Sequence, residues 1–255
     1  TGALYLIGVA FFISVFTGAA FSEDSAVSWS NKGVEQLNTG NSAGADQSFS
    51  KAIDLDPEKA IVWYYRGIAR HRLGKDKAAL ADLSRTVELA PDHAPAYSLR
   101  GFVYSKSGQN ENGLADYSRA IQLKPDSDMY LFNRGVLYQN MGRYQEAVSD
   151  YSGVIRLKPD HGKAYFYRSE SFDALGKLDE AVQDAEKAVR LDPQKKEYRN
   201  FLNTLQEKVE TEGSTEKKEG KDSQKDKQDS KTGGAFEENG SAFEYFLSTI
   251  RNRLD

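Results

Sequence analysis

The chain has 255 residues, with 34 Lys and Arg against 38 Asp and Glu, a formal net charge of −4 and no cysteine. That length allows one or two domains. The absence of cysteine excludes disulfides, thiolate metal sites and a cysteine nucleophile, and the mild acidity argues against a nucleic-acid partner. A hydrophobic fraction of 39% is low for a single compact core, so part of the chain is expected to remain solvated.

The first segment, residues 1–22, carries no charged side chain. About 20 helical residues cross the ~30 Å hydrocarbon core of a bilayer. Residues 3–21 therefore read as a retained membrane anchor, as the apolar part of a secretory signal with Gly18-Ala19-Ala20 as the small residues before cleavage, or as a buried soluble helix. Glu23 and Asp24 come next, and no Lys or Arg appears until Lys32. The missing basic flank places the remainder of the chain on the non-cytoplasmic side of a membrane, in a periplasm or lumen.

From residue 26 the chain repeats itself. Pro57, Pro91, Pro125, Pro159 and Pro193 are spaced by 34 residues, as are Gly40, Gly74, Gly108, Gly142 and Gly176. Two further series keep the same register: Gly33, Gly67, Gly101, Gly135 and Ser169, and Ala45, Ala79, Gly113, Ala147 and Ala181. Each unit reads as two helices. In the fourth, Leu131, Gly135, Tyr138 and Met141 recur at helical spacing before Gly142 breaks the helix; Ala147, Tyr151, Val154 and Leu157 then share a face until Pro159 ends the second. The small residues permit close approach, which predicts a backbone rather than solvent opposite Gly135. One unit cannot bury its apolar face alone, so five stacked units are expected to share a continuous core. After Pro193, Tyr198, Phe201, Leu202, Leu205 and Val209 form one apolar face, which predicts a helix closing the array near residue 210.

The period, the alternation of aromatic and small residues and the terminal proline resemble the tetratricopeptide repeat. The resemblance spans residues 26–193, about two-thirds of the chain, with the first unit most divergent: Gln36 stands where later units have Tyr104 and Tyr138. It implies an all-α fold, an α-solenoid wound as a right-handed superhelix with a C-terminal capping helix, whose first helices line a concave peptide-binding groove. The family's groove positions fall here on Ile61, Tyr64, Tyr65, Ile68 and His71; on Ser98, Leu99 and Phe102; on Phe132, Asn133 and Val136; and on Lys163, Phe166, Tyr167 and Glu170. Ile61, Tyr64, Tyr65, Ile68, Leu99, Phe102, Phe132, Asn133, Val136, Phe166 and Tyr167 form the candidate partner-binding set, the alternative being that some pack between neighbouring first helices. Relatives that serve chaperones resemble one another in a basic clamp for a carboxylate terminus. Of that clamp only Asn133 and Lys163 match, so an apolar or amphipathic partner segment fits better.

Arg66, Arg100, Arg134 and Arg168 recur in register with Asp82, Asp116, Asp150 and Asp184, which predicts ion pairs joining helices of adjacent units. No His, Asp or Glu cluster has metal-ligand spacing and no phosphate loop or nucleophile elbow appears, so neither enzyme activity nor a cofactor or metal is expected. His93 and His161 come just after Pro-Asp in equivalent inter-unit turns.

Residues 211–241 form a charged linker whose stretch up to Gly234 has six Lys and six acidic residues, a composition that predicts disorder. Residues 242–255 read as a short amphipathic helix with Phe243, Phe246, Leu247, Ile250 and Leu254 on one face. Such a helix is marginal alone, so residues 242–254 are expected to dock on a partner, on a membrane surface or back into the chain's own groove. The functional expectation is a non-catalytic protein-interaction scaffold, membrane-tethered or exported, that assists assembly or maturation of a complex. A cytosol-facing membrane-anchored receptor for protein targeting or import and a self-associating spacer are the alternatives.

Overall fold

The computed structural model describes residues 25–219, with side chains as far as Thr211. The apolar segment 1–22, the linker beyond residue 219 and the expected helix at 242–255 lie outside the described residues. Within them the chain is all helical, and it forms the expected α-solenoid: helix pairs succeed one another and a final helix closes the stack.

The five pairs are α1 Ala26–Asn38 with α2 Ser42–Leu55, α3 Ala60–Arg72 with α4 Asp76–Leu89, α5 Ala94–Lys106 with α6 Asn110–Leu123, α7 Asp128–Asn140 with α8 Tyr144–Leu157, and α9 Gly162–Ala174 with α10 Leu178–Leu191. Helix α11 runs from Lys196 to Glu219, past the boundary expected at residue 210. Lys and Glu, strong helix formers, dominate that extension, and their propensity carries the last turns onward.

Each first helix ends at a glycine in the left-handed region, Gly108 at φ +75° for example, a backbone conformation that residues with a Cβ rarely adopt. The chain then turns back so that the Gln109 N–H donates to the Tyr104 carbonyl at 2.8 Å, satisfying a carbonyl the helix end would leave unpaired. First helices of successive units touch one another from α1 to α9, while each second helix packs mainly on the first helices that flank it. The first helices therefore form the inner layer and the second helices the outer one.

Small residues set how closely each pair packs. A Cβ on Gly101 would lie 3.0 Å from the Gly113 carbonyl oxygen, and one on Gly113 2.9 Å from that of Gly101, so α5 and α6 meet backbone to backbone. Gly135 differs from expectation: it faces the ring of Tyr151, 2.8 Å from where its Cβ would be. Where the series ends, the Ser169 hydroxyl donates to the Ala181 carbonyl at 2.6 Å, so the one polar member is satisfied.

The charged ladder also departs from the expected pairing. Arg100 grips Asp116 through two hydrogen bonds, Nε to Oδ2 at 2.8 Å and Nη2 to Oδ1 at 2.9 Å, and these residues belong to the same unit. The link between units is the third arginine bond, Nη1 to Ser84 on the preceding second helix, at 3.1 Å. Arg66, Arg134 and Arg168 repeat both bonds with Asp82 and Ser50, Asp150 and Ser118, and Asp184 and Ser152. A guanidinium has donors enough to hold one carboxylate bidentately and still reach a neighbour, and that fork geometry chooses the partners.

His93 and His161 cap α5 and α9: each Nδ1 accepts the backbone N–H of Ala96 or Ala164 at 3.1 Å. Their rings lie against Tyr64 and Phe132, at 4.8 and 5.3 Å between centroids. Burial lowers the pKa of both below the ordinary value of 6.5. A depressed pKa means the folded state binds fewer protons, so the stability these caps contribute is present above about pH 6.5 and is lost as pH falls through that value toward the folded pKa. Replacing both by Asn, a good cap that does not titrate here, should flatten the fall in melting temperature between pH 6.5 and 5 relative to wild type. Identical slopes in a thermal-melt series would show that the caps do not contribute.

Candidate functional site

The inner layer places the candidate groove residues on α3, α5, α7 and α9, where they divide by depth. Tyr64, Ile68, Leu99, Phe132 and Asn133 are buried, each less than 5% exposed. Tyr65, Phe102, Val136, Phe166 and Tyr167 are half-buried, and Ile61 is 41% exposed. The buried members fill space between neighbouring first helices: Tyr64 packs on the next unit's His93, and Phe132 meets Tyr167 edge-on at 5.5 Å. The half-buried members leave an apolar and aromatic strip along the inner face.

Aromatic rings are continuous at the C-terminal end. Tyr151 stacks on Tyr167 at 5.9 Å, while Phe166 stacks on Tyr198 at 4.5 Å and meets Phe201 edge-on at 5.6 Å. Helix α11 thus completes the wall of the last unit as well as covering it.

A polar network crosses this aromatic end. Gln139 on α7 is buried; its Oε1 accepts the Tyr151 hydroxyl at 2.9 Å and the Ser171 hydroxyl at 3.3 Å, and its Nε2 donates to Glu170 Oε2 at 3.1 Å. Burial, and after it the neighbouring Glu197 and Asp173, push the Glu170 carboxyl up to about 7, against the hydrogen bond from Gln139. Because the folded pKa exceeds the ordinary 4.5, ionised Glu170 costs stability above about pH 7, and that cost disappears as pH falls below 4.5. Four buried polar atoms have no hydrogen-bond partner among the described residues: Tyr64 Oη, Ser98 Oγ, Asn133 Oδ1 and Tyr198 Oη.

Of the two clamp matches, Asn133 is buried, while Lys163 sits half-buried at the start of α9 with its pKa lowered by burial and by Lys195. Gln139 and Ser171 are the members of this end that sequence reasoning missed. The repeat register held the signal, since Gln139 stands twelve places into its unit, on a groove position, as His71 does in the second unit. Among the described residues, no three His, Asp or Glu side chains gather as metal ligands. No described helix is long and apolar enough to cross a membrane.

A tetratricopeptide repeat model matches residues 31–94 and 133–196, and a second TPR repeat model matches residues 104–142. The chain belongs to the tetratricopeptide repeat family. Its array is accordingly an interaction scaffold, and the solved structures it resembles agree on the fold. A crystal structure of MamA shares 24% identity at a TM-score of 0.62 over 68% of this chain and 94% of that one. MamA from Desulfovibrio magneticus RS-1 shares 18% at 0.63, over 67% and 97%. YrrB, described as a TPR protein with an unusual peptide-binding site, shares 20% at 0.60, over 68% and 89%. No curated protein matches the chain.

Proposed function

We propose that this tetratricopeptide repeat protein is a non-catalytic scaffold that grips an apolar or amphipathic segment of a partner protein along its inner face, and so assists assembly of a protein complex. The observation that carries this reading is the half-buried strip of Tyr65, Phe102, Val136 and Tyr167 on four successive first helices. Apolar surface in a row on a concave face marks an interaction site, and aromatics make effective interface anchors. The peptide-binding site named for YrrB, which has the same fold, is consistent with this use. Residues 3–21 would tether the array to a membrane, or direct its export, with the repeats on the non-cytoplasmic side.

A photo-crosslinking amino acid placed at Phe102 or Tyr167 should capture the same partner from native membranes. The same probe at Glu88, exposed on outer helix α4, should not. Equal capture from both faces would refute the groove. Protease treatment of sealed vesicles should leave the repeats intact; digestion would instead favour a cytosol-facing targeting receptor.

A further inference from the structure

Deep carboxylates in this molecule have arginine partners. Asp82, Asp116, Asp150 and Asp184 are each held by a bidentate guanidinium. Glu170 differs from these four. It is half-buried on the inner face, its hydrogen bond comes from the neutral Gln139 amide, and no Lys or Arg pairs with it among the described residues.

We infer that Glu170 anchors a cationic side chain, Lys or Arg, of the partner segment seated in the groove, an inference that rests on the groove reading above. The groups around Glu170 leave it without a cation. Helix α7 supplies only the neutral Gln139, and α8 the Tyr151 ring beside an Asp150 already paired with Arg134. From α9 and α11 come Asp173 and Glu197, each paired with a lysine, Asp173 with Lys208 and Glu197 with Lys195 at 3.8 Å. Lys208, the cation α11 sends to this end, is bound by both oxygens of Asp173 at 2.7 Å. Lys163 and Lys195 sit together at the α9 edge, where they face Glu197 and Asp192. The nearby lysines are thus committed to other carboxylates, and Glu170 is left with a neutral amide and no cation of its own among the described residues.

The walls suit the same ligand. Half-buried Phe166 and Tyr167, edge-on to each other on the same helix as Glu170, keep ring surface on the inner face, and aromatic faces attract ammonium and guanidinium groups. Tyr198 Oη is buried without a partner and lies within electrostatic reach of Glu170, so it offers an acceptor beside the carboxylate. The burial that holds Glu170 at about 7 would be offset by a bound cation, which links binding to loss of its proton. A partner segment with apolar side chains toward the middle units and one basic residue over the fifth would match the inner face in both shape and charge.

The test uses the full chain, immobilised, and four libraries of 12-residue peptides whose central position is fixed as Lys, Arg, norleucine or Glu in an otherwise degenerate apolar and aromatic frame. At pH 7.5 the Lys and Arg libraries should be retained at least ~10-fold better than norleucine, and Glu least. Glu170→Gln should reduce Lys and Arg to the norleucine level, while Glu88→Gln, the same charge change on the outer face, should leave the preference intact. Glu170→Gln removes a poorly solvated charge, so its melting temperature should not fall; Glu170→Asp should keep part of the preference and guards against a folding artefact. Lowering the pH to 5.5 should bring Lys retention down toward the norleucine level, because a carboxyl titrating near 7 is mostly protonated there and then resembles the Gln variant. Lys and norleucine retained equally, with retention lost in Phe102→Glu, would overturn this inference and leave the groove standing. Retention insensitive to Phe102→Glu, or none at all, would overturn both. A basic preference that appears only after deletion of residues 236–255 would make the chain's own C-terminal segment the occupant and overturn the assignment to a partner.

Discussion

Asp116→Ala is expected to lower stability by about 3 kcal/mol and to break the single unfolding transition into two. Asp116 is buried between α5 and α6, with both oxygens committed to Arg100. Removing it leaves a half-buried guanidinium with Ser84 as its polar partner, and the loss of one member of a buried pair costs far more than the pair itself contributes. Position in the array decides how the damage spreads. Units in a solenoid contact only their neighbours, so stability is a sum of unit and interface terms, and weakening the third of five units uncouples the two sides. Asp184→Ala, the equivalent change in the fifth unit, should cost a similar amount but fray the array from its end. Denaturant titrations monitored by circular dichroism would check both, with a single transition in Asp116→Ala as the contrary result. Arg100→Met combined with Asp116→Leu should recover most of the loss, because two well-packed apolar side chains leave no charge to solvate.

Tyr151→Ala is expected to cost about 4 kcal/mol, the range for emptying a buried aromatic site. Tyr151 has no exposed surface. Its ring fills the space that Gly135 leaves open, packs on Phe132 at 5.7 Å and on Tyr167 at 5.9 Å, and its hydroxyl donates to Gln139. The Arg134–Asp150 pair joins α7 to α8 on either side of the void and resists its collapse. Tyr151→Phe separates the two roles: it keeps the ring and removes one of the hydrogen bonds that hold Gln139, at about 1 kcal/mol. Urea titration of both variants checks the ranking, and similar losses in the two would mean that the hydroxyl outweighs the ring.

Sequence and structure part company at identifiable residues. Periodicity locates every helix pair, the glycine turns and the closing helix, because a 34-residue register repeated five times averages out the ambiguity of any single stretch. It also places Tyr64, Phe132 and Asn133 at equivalent positions of the first helices. It does not distinguish these three, which are buried, from Tyr65, Phe102 and Tyr167, which keep accessible surface, since that depends on the tilt between successive first helices. The arginine ladder behaves in the same way. Four Arg and four Asp in register announce a ladder, yet the serine series at 50, 84, 118 and 152 that links one unit to the next is equally periodic and far less conspicuous. Serine periodicity carries no charge to draw attention, and its meaning rests on the reach of a guanidinium from the next helix.

The amino-acid order of this protein by itself determined a tandem array of paired helices, a binder's composition and an inner face rich in aromatic residues. Those properties arise from local spacing, which one chain records directly. The tertiary structure alone decided which Asp each Arg holds, which aromatic rings stay accessible, and that Glu170 meets a neutral amide where the four buried Asp of the ladder meet an arginine. Partners of that kind are chosen across helices by distance and burial, and neither quantity is a function of sequence spacing within a unit.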